Sequence, residues 1–145
     1  MSVTIGSDLA GYLNRRRVLR GMIGLRLFPD QAPQDSKRPF VVYQLESSDR
    51  PRHLKGSAGL VNATYQFDIY ASTRGQARQV AEEIRTSLDG LGTPAEGETE
   101  IRSVAMLGWR DDVFPPQDGS DQGIYNASVE FSIWYRERVP GFPAA

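Results

Sequence analysis

The stretch PFVVYQLE (residues 39–46), followed after a polar, Gly-containing segment by VNATYQFDIYA (61–71) and STRGQARQVAEEIRTSL (72–88), decides the fold. The first piece is a short apolar run of the kind found in buried strands. The second alternates apolar and polar residues over its whole length, which predicts a strand with one face buried. The pair therefore predicts neighbouring strands of one sheet.

The third piece has the features of an amphipathic helix. Thr73 and Gln76 have the spacing of a capping box, in which the two side chains satisfy backbone amides at the start of a helix. The apolar residues behind them recur at helical spacing: Ala77, Val80, Ala81, Ile84 and Leu88. Because such a stripe must be covered, we expect the helix to pack on the two strands that precede it.

The flanking segments extend this unit in both directions. A first helix is expected from Ser7 or Asp8 onward, with a break near Gly21 or Gly24, and a short strand over Leu25–Phe28. A third strand is expected over Ile101–Arg110. Its predicted buried face consists of Ile101, Ala105, Leu107 and Trp109. The last strand alternates through Tyr125, Ala127, Val129, Phe131, Ile133 and Tyr135.

Strands that come in pairs rather than alternating with helices favour an α+β fold. We predict a single domain over residues 1–145: one antiparallel sheet of about four main strands, two helices on one face and the order α-β-β-α-β-β. Extended loops are expected at 29–39, 47–59 and 111–123. The Pro/Gly-containing segment 137–145 is expected to be a flexible or partner-docked tail.

Composition excludes several classes of site. The chain of 145 residues has no cysteine, which removes disulfides, thiol nucleophiles and cysteine metal sites. It has no apolar run near the roughly 20 residues that cross a bilayer and no signal-peptide pattern, so we expect a soluble protein made in a cytoplasm. The net charge is −1, but residues 1–60 carry +5 and residues 61–145 carry −6. This uneven distribution of charge has two interpretations. It can produce two differently charged surfaces on one molecule, or it can reflect ordinary solvated faces without a function.

Catalytic patterns are missing from the sequence. The one histidine, His53, lies among cations, and only Asp49 or Glu46 could orient it as a base. Phosphate-binding glycine loops and nucleophile elbows are absent, and we predict neither cofactor nor metal. Interaction is the better prediction. The candidate interface residues in the two long loops are Arg50, Arg52, His53, Lys55, Asp111, Asp112, Asp118 and Asp121; the candidates to lie near DNA or in a lumen are Arg15, Arg16 and Arg17.

Part of the chain resembles a known family. The N-terminal helix, the Pro-containing loop, PFVVY (39–43), the loop that ends in residues 56–60, YQFDIYA (65–71) and the helix over residues 77–91 are similar to the tail terminator, or tail completion, proteins of long-tailed bacteriophages and phage-like particles. None of these motifs is catalytic.

The resemblance implies a structural virion protein that forms a hexameric ring on the head-proximal end of the tail tube. Such a ring stops tube polymerisation, docks the head connector or stopper, and lets DNA pass through its channel. The split charge would then distinguish its tube-facing side from its head-facing side. Three alternatives stay open: another neck component, such as a head completion or stopper protein; a small enzyme or ligand-binding domain that uses His53 and Asp49; and a nucleic-acid-binding module.

Overall fold

The computed structural model describes residues 5–50, 52–53, 56–57, 59–91, 100–115 and 123–136. The elements, in chain order, are α1 (Ile5–Asn14), α2 (Arg17–Ile23), β1 (Leu27–Pro29), β2 (Phe40–Asp49), β3 (Arg52–His53), β4 (Gly56–Ser57), β5 (Leu60–Ala71), α3 (Arg74–Leu88), β6 (Glu100–Phe114) and β7 (Ile124–Arg136). No helix in these ranges is long and apolar enough to cross a membrane.

The main sheet has five strands in the order β1-β2-β5-β7-β6. The pairs β2–β5, β5–β7 and β7–β6 are antiparallel, whereas β1 runs parallel to β2 with Leu27 opposite Val41. The predicted α+β class is confirmed. The prediction of one antiparallel sheet of about four main strands is wrong in two details. The short strand expected at Leu25–Phe28 forms at Leu27–Pro29 and joins the sheet as a fifth strand, parallel to β2, and β3 and β4 form a separate two-stranded ribbon.

The two central strands carry the core. Alternate residues of β5 and β7 point toward the helices and are buried, and Phe67 meets Phe131 edge-on with ring centroids 5.8 Å apart. The apolar stripe of α3 and the inner residues of α1 and α2 join the same hydrophobic cluster. The helices therefore cover one face of the sheet, and within the described chain no helix lies on the other.

Three helices replace the predicted two because the first one breaks. The break falls at Arg15–Arg16, where Arg16 is extended (φ −76°, ψ 114°), not at Gly21 or Gly24. Leu13 and Leu19 are six residues apart, which is out of step for one helical stripe. Two non-helical residues between them turn α2 so that both side chains are buried. Gly24, with φ of 62°, then ends α2.

The start of α3 follows the prediction closely. Thr73 Oγ1 accepts a hydrogen bond from Gln76 N at 3.1 Å, and Gln76 Oε1 accepts one from Ser72 N at 3.2 Å. The two side chains thus satisfy backbone amides that the first turn of a helix cannot satisfy itself.

Strand β6 corrects the predicted buried face. Two bulges, between Ile101 and Ser103 and between Met106 and Gly108, each insert one extra residue into the strand. Each insertion shifts the side-chain alternation by one position. The strand therefore turns Ile101, Val104, Met106 and Trp109 toward the core, and the predicted Ala105 and Leu107 are exposed.

The two long loops are shorter than predicted. Residues 47–49 belong to β2 and residues 111–114 belong to β6. Both strands thus extend past the positions where their polar sequences suggested an end. The predicted tail at 137–145 lies outside the described residues.

Candidate functional site

Exposed cations cluster where α1 meets α2. Arg15, Arg16, Arg17 and Arg20, which we call the basic corner, are all exposed, and the sequence from residue 9 to residue 29 contains no acidic residue. Arg16 Nε donates to Ser87 Oγ at 3.2 Å, and Tyr12 Oη donates to Ser87 O at 3.1 Å. These contacts anchor the corner to the C-terminal end of α3, on the helical side of the molecule.

The opposite face of the sheet has an acidic centre. Glu46 is the extra residue of a bulge in β2 and reaches across β5 to Glu130 on β7. Asp68 lies nearby on β5, where Gln66 Nε2 donates to both of its carboxylate oxygens at 3.0 Å. We call Glu46, Asp68 and Glu130 the acidic centre. Glu46 and Glu130 line a depression of about 420 Å³.

The neighbouring carboxyl groups perturb the pKa of Glu46. The hydrogen bond that protonated Glu46 donates to Glu130, desolvation, and the charges of Glu130 and Asp68 raise the pKa of Glu46 to about 7, and the opposing charge of Arg110 does not cancel them. Arg110 is itself 3.3 Å from Asp112. A cation that bound beside Glu46 would favour its charged form.

Aromatic and apolar side chains lie at both ends of the same face. At one end a row crosses the sheet, with Phe40 stacked on Tyr70 at 5.1 Å and Tyr70 stacked on Phe114 at 6.5 Å between centroids. At the other end the exposed Trp134 stands beside Leu60 over a second depression. Exposed aromatic side chains beside polar groups are typical of protein interfaces.

Asp111 lies on the helical side and holds α3 to the sheet edge. Its Oδ2 accepts hydrogen bonds from Arg78 at 3.1 Å, its Oδ1 accepts one from Trp109 Nε1 at 3.0 Å, and Arg74 is 3.6 Å away. Partial burial acts to raise the pKa of Asp111, but the hydrogen bonds from Trp109 and Arg78 and the two arginine charges outweigh it, so the pKa lies below its ordinary value.

Arg74 ties the same region together through the backbone. Its guanidinium donates to Asn126 O and to Asp112 O, both at 3.1 Å, and lies 5.2 Å over the ring of Tyr125. The start of α3 is thus connected to both β6 and β7.

The structure separates the predicted interface residues. Asp111 and Asp112 lie in β6, not in a loop, and they point to opposite faces of the sheet. Arg50 follows β2 and donates to Ser48 Oγ at 3.1 Å, while Arg52 and His53 form β3. Lys55, Asp118 and Asp121 lie outside the described residues. Their contacts with other proteins stay a prediction, as does the location of Arg15, Arg16 and Arg17 near DNA.

The acidic centre was not found from the sequence. Glu46 and Glu130 are far apart along the chain, and each looks like an ordinary solvated residue of a strand. They meet because β5 separates β2 from β7 by a single strand and because the bulge turns Glu46 onto the open face. The one local signal was the pair Gln66–Asp68 on the polar side of the alternating stretch.

Solved structures of other proteins align with this chain over most of its length. A chain of the virion of a native gene transfer agent (GTA) particle aligns over 91% of this chain and 94% of its own, with 12% identity and a TM-score of 0.64, so the two share a fold. A second solved structure aligns over 95% of this chain and 100% of its own, at 12% identity and a TM-score of 0.49. No curated protein has a matching sequence.

A family model matches almost the whole described fold, from α1 to the end of β7. The matched residues are 8–136, and the family is described as Tail completion protein gp17. The resemblance on residues 27–91 is thereby confirmed and extended to the C-terminal strand pair. This chain belongs to the phage tail completion protein family.

Proposed function

We propose that this chain is the structural virion protein that closes the head-proximal end of the tail. In this role it forms a hexameric ring on the last layer of the tail tube, stops tube polymerisation and offers the surface to which the head connector or stopper joins. The observation that carries the proposal is the family match over residues 8–136. The fold shared with a chain of a phage-like virion supports it.

The subunit is suited to a ring. Its helical side and its open sheet side are chemically different, so contact of one with the other is heterologous, and heterologous contacts form a closed ring when the rotation between copies divides a full turn. A ring built in this way has two unlike axial faces. One can match the tube and the other the head.

The proposed role requires binding surfaces and no bond chemistry. Within the described residues, no group of three His, Cys, Asp or Glu side chains is arranged to hold a metal ion. The rival enzyme hypothesis depends on His53. His53→Ala should therefore leave particle assembly and DNA delivery unchanged, and a loss of delivery by otherwise complete particles would favour the rival.

Electron microscopy of particles made without this chain tests the proposal. We expect tails of uncontrolled length that are not joined to filled heads, and the wild-type chain supplied in trans should restore both length and joining. Tails of normal length that fail to join heads would move the chain to another neck role, such as head completion or stopper. Normal particles would refute any role at this junction.

A further inference from the structure

We infer that the open face of the sheet receives the basic corner of a second copy of this chain. The acidic centre would bind the arginines of residues 15–20, with the apolar side chains around both patches packed against one another. This inference rests on the proposed ring, because it names the contact by which neighbouring subunits would meet.

Two of the four cations of the basic corner are left available by the subunit itself. Arg17 and Arg20 are exposed and form no ion pair with the described residues. Two apolar side chains lie beside them, Val18 with 55% of its surface exposed and Leu25 with 64%. An exposed patch that combines arginine with aliphatic side chains is better suited to a protein partner than to bulk water.

The open face of the sheet has the complementary chemistry. Glu46, Glu130 and Asp68 lie at its centre. The neighbouring Arg110 forms an ion pair with Asp112. Apolar groups flank the centre at both ends, with Phe114 47% and Trp134 38% exposed. A carboxylate pair can accept the planar fork of an arginine through two parallel hydrogen bonds.

One subunit cannot satisfy both patches by itself. The basic corner is bonded to the end of α3 on the helical side, while the acidic centre lies on the far side of the five-stranded sheet. The two meet only between copies. Because the contact joins unlike surfaces, each copy has both surfaces to offer, and assembly continues until a ring closes.

Proton binding at the acidic centre should weaken this contact. The groups that face Glu46 are Glu130 on β7, Asp68 and Gln66 on β5 and Arg110 on β6. The hydrogen bond to Glu130, desolvation and the charges of Glu130 and Asp68 raise the pKa of Glu46 to about 7, against the opposing charge of Arg110. A bound arginine favours the charged carboxylate, so association releases a proton. The association constant should therefore fall as the pH decreases below about 7.

Site-specific cross-linking tests the inference directly, because the chain has no cysteine of its own. Val18→Cys on one copy lies beside the basic corner, and Ser47→Cys on another lies beside Glu46. The two variants are mixed and treated with a short bismaleimide at increasing protein concentration. The control pair combines Ser47→Cys with Gln79→Cys, which lies on the exposed side of α3. We expect the test pair to give at least about ten times as much cross-linked heterodimer as the control pair.

Charge reversal identifies the groups responsible. Arg17→Glu with Arg20→Glu, added to the Val18→Cys copy, should reduce the yield to that of the control pair. Glu46→Arg with Glu130→Arg on the other copy should restore it. Glu46→Gln with Glu130→Gln removes the charge without adding repulsion and should also reduce the yield, and circular dichroism verifies that each variant is folded.

Two results would overturn the inference. The first is a yield that equals that of the control pair or ignores both charge reversals. The second is a cross-link yield that Arg17→Glu with Arg20→Glu leaves unchanged, although the same two substitutions abolish salt-sensitive binding to duplex DNA. That combination would assign the basic corner to nucleic acid. Failure of the proposed function is distinguishable: it would appear as normal tails in particles without the chain, whatever the cross-link yield.

Discussion

Replacing Asp111 by alanine should destabilise the protein far more than the same change at the adjacent Asp112. Asp111 accepts three hydrogen bonds, two from Arg78 and one from Trp109, and lies 3.6 Å from Arg74, with a quarter of its side chain exposed. Among the described residues, the Asp112 carboxylate instead pairs with Arg110 at 3.3 Å, and both of those side chains are exposed. The two substitutions delete the same atoms from neighbouring positions of one strand.

The expected magnitudes follow from these contacts. Net contributions of hydrogen bonds to a charged group are about 1.5–3 kcal/mol, and the exposure of Arg78 places this set toward the lower end, so we expect Asp111→Ala to cost about 2 kcal/mol. An exposed ion pair contributes roughly 0–1 kcal/mol, so Asp112→Ala should cost under about 0.5 kcal/mol. The difference should therefore be well above the error of a denaturation experiment.

Urea denaturation followed by far-ultraviolet circular dichroism measures both values. The slope of unfolding free energy against urea should be the same in all three proteins, since the substitutions do not change the surface exposed on unfolding. The contribution of Asp111 to the unfolding free energy should also depend on pH. Its folded-state pKa is lowered, so its contribution is present above the ordinary value of 3.8 and is lost as the pH falls through the folded pKa.

The difference in unfolding free energy between wild type and Asp111→Ala should accordingly be constant from roughly pH 5 to pH 8 and decrease only in strong acid. Equal costs for the two alanine variants would refute the assignment of Asp111 as the connection between α3 and β6. A gap that grew toward acid would refute the sign of its pKa shift.

Two further stability predictions concern Gly6 and Glu46. A Cβ at Gly6 would lie 2.8 Å from the hydroxyl of the buried Tyr65, so Gly6→Ala should destabilise the protein by about 1–2 kcal/mol. Gly21 has open space around it, so Gly21→Ala should stabilise the protein by about 0.5–1 kcal/mol. Thermal unfolding measures both values, and a gain in stability at both positions would contradict the close packing under α1. Since the pKa of Glu46 is raised from 4.5 to about 7, its protonated form stabilises the folded state and that contribution disappears as the pH rises through 7. Glu46→Gln should therefore flatten the decrease of the melting temperature over this range, and an unchanged slope would refute the shared proton with Glu130.

The sequence predicted the elements whose patterns are long and uninterrupted. The alternation in β5 and β7 and the stripe of α3 each extend over enough residues to define a buried face, and the cap at Thr73 is formed as expected. These are local signals, because one strand or helix carries the whole pattern. The family resemblance rested on the same core positions.

The errors arise where an insertion or a distant residue decides the geometry. In β6, the two bulges reverse the side-chain alternation twice, and a period-two reading cannot detect them. The break between α1 and α2 occurs at arginines rather than glycines because burial of Leu13 and Leu19 requires it.

The candidate site was the least predictable part for the same reason. Long polar stretches suggested loops with function at 47–59 and 111–123, but residues 47–49 and 111–114 belong to strands. The acidic centre exists only because strands distant in the sequence are neighbours in the sheet. The basic corner, by contrast, is built on a contiguous run of arginines that lies exposed at the helix break. The location of Arg15, Arg16 and Arg17 near DNA or in a lumen stays a prediction.

A reconstruction of the assembled particle at the junction between head and tail tests the central claim most directly. We predict a hexameric ring of this fold between the last layer of the tail tube and the head connector or stopper, and at each contact between neighbouring copies the α1–α2 corner of one should face the open sheet of the next. Density for this chain elsewhere in the particle, or its absence from the tube end, would contradict the account.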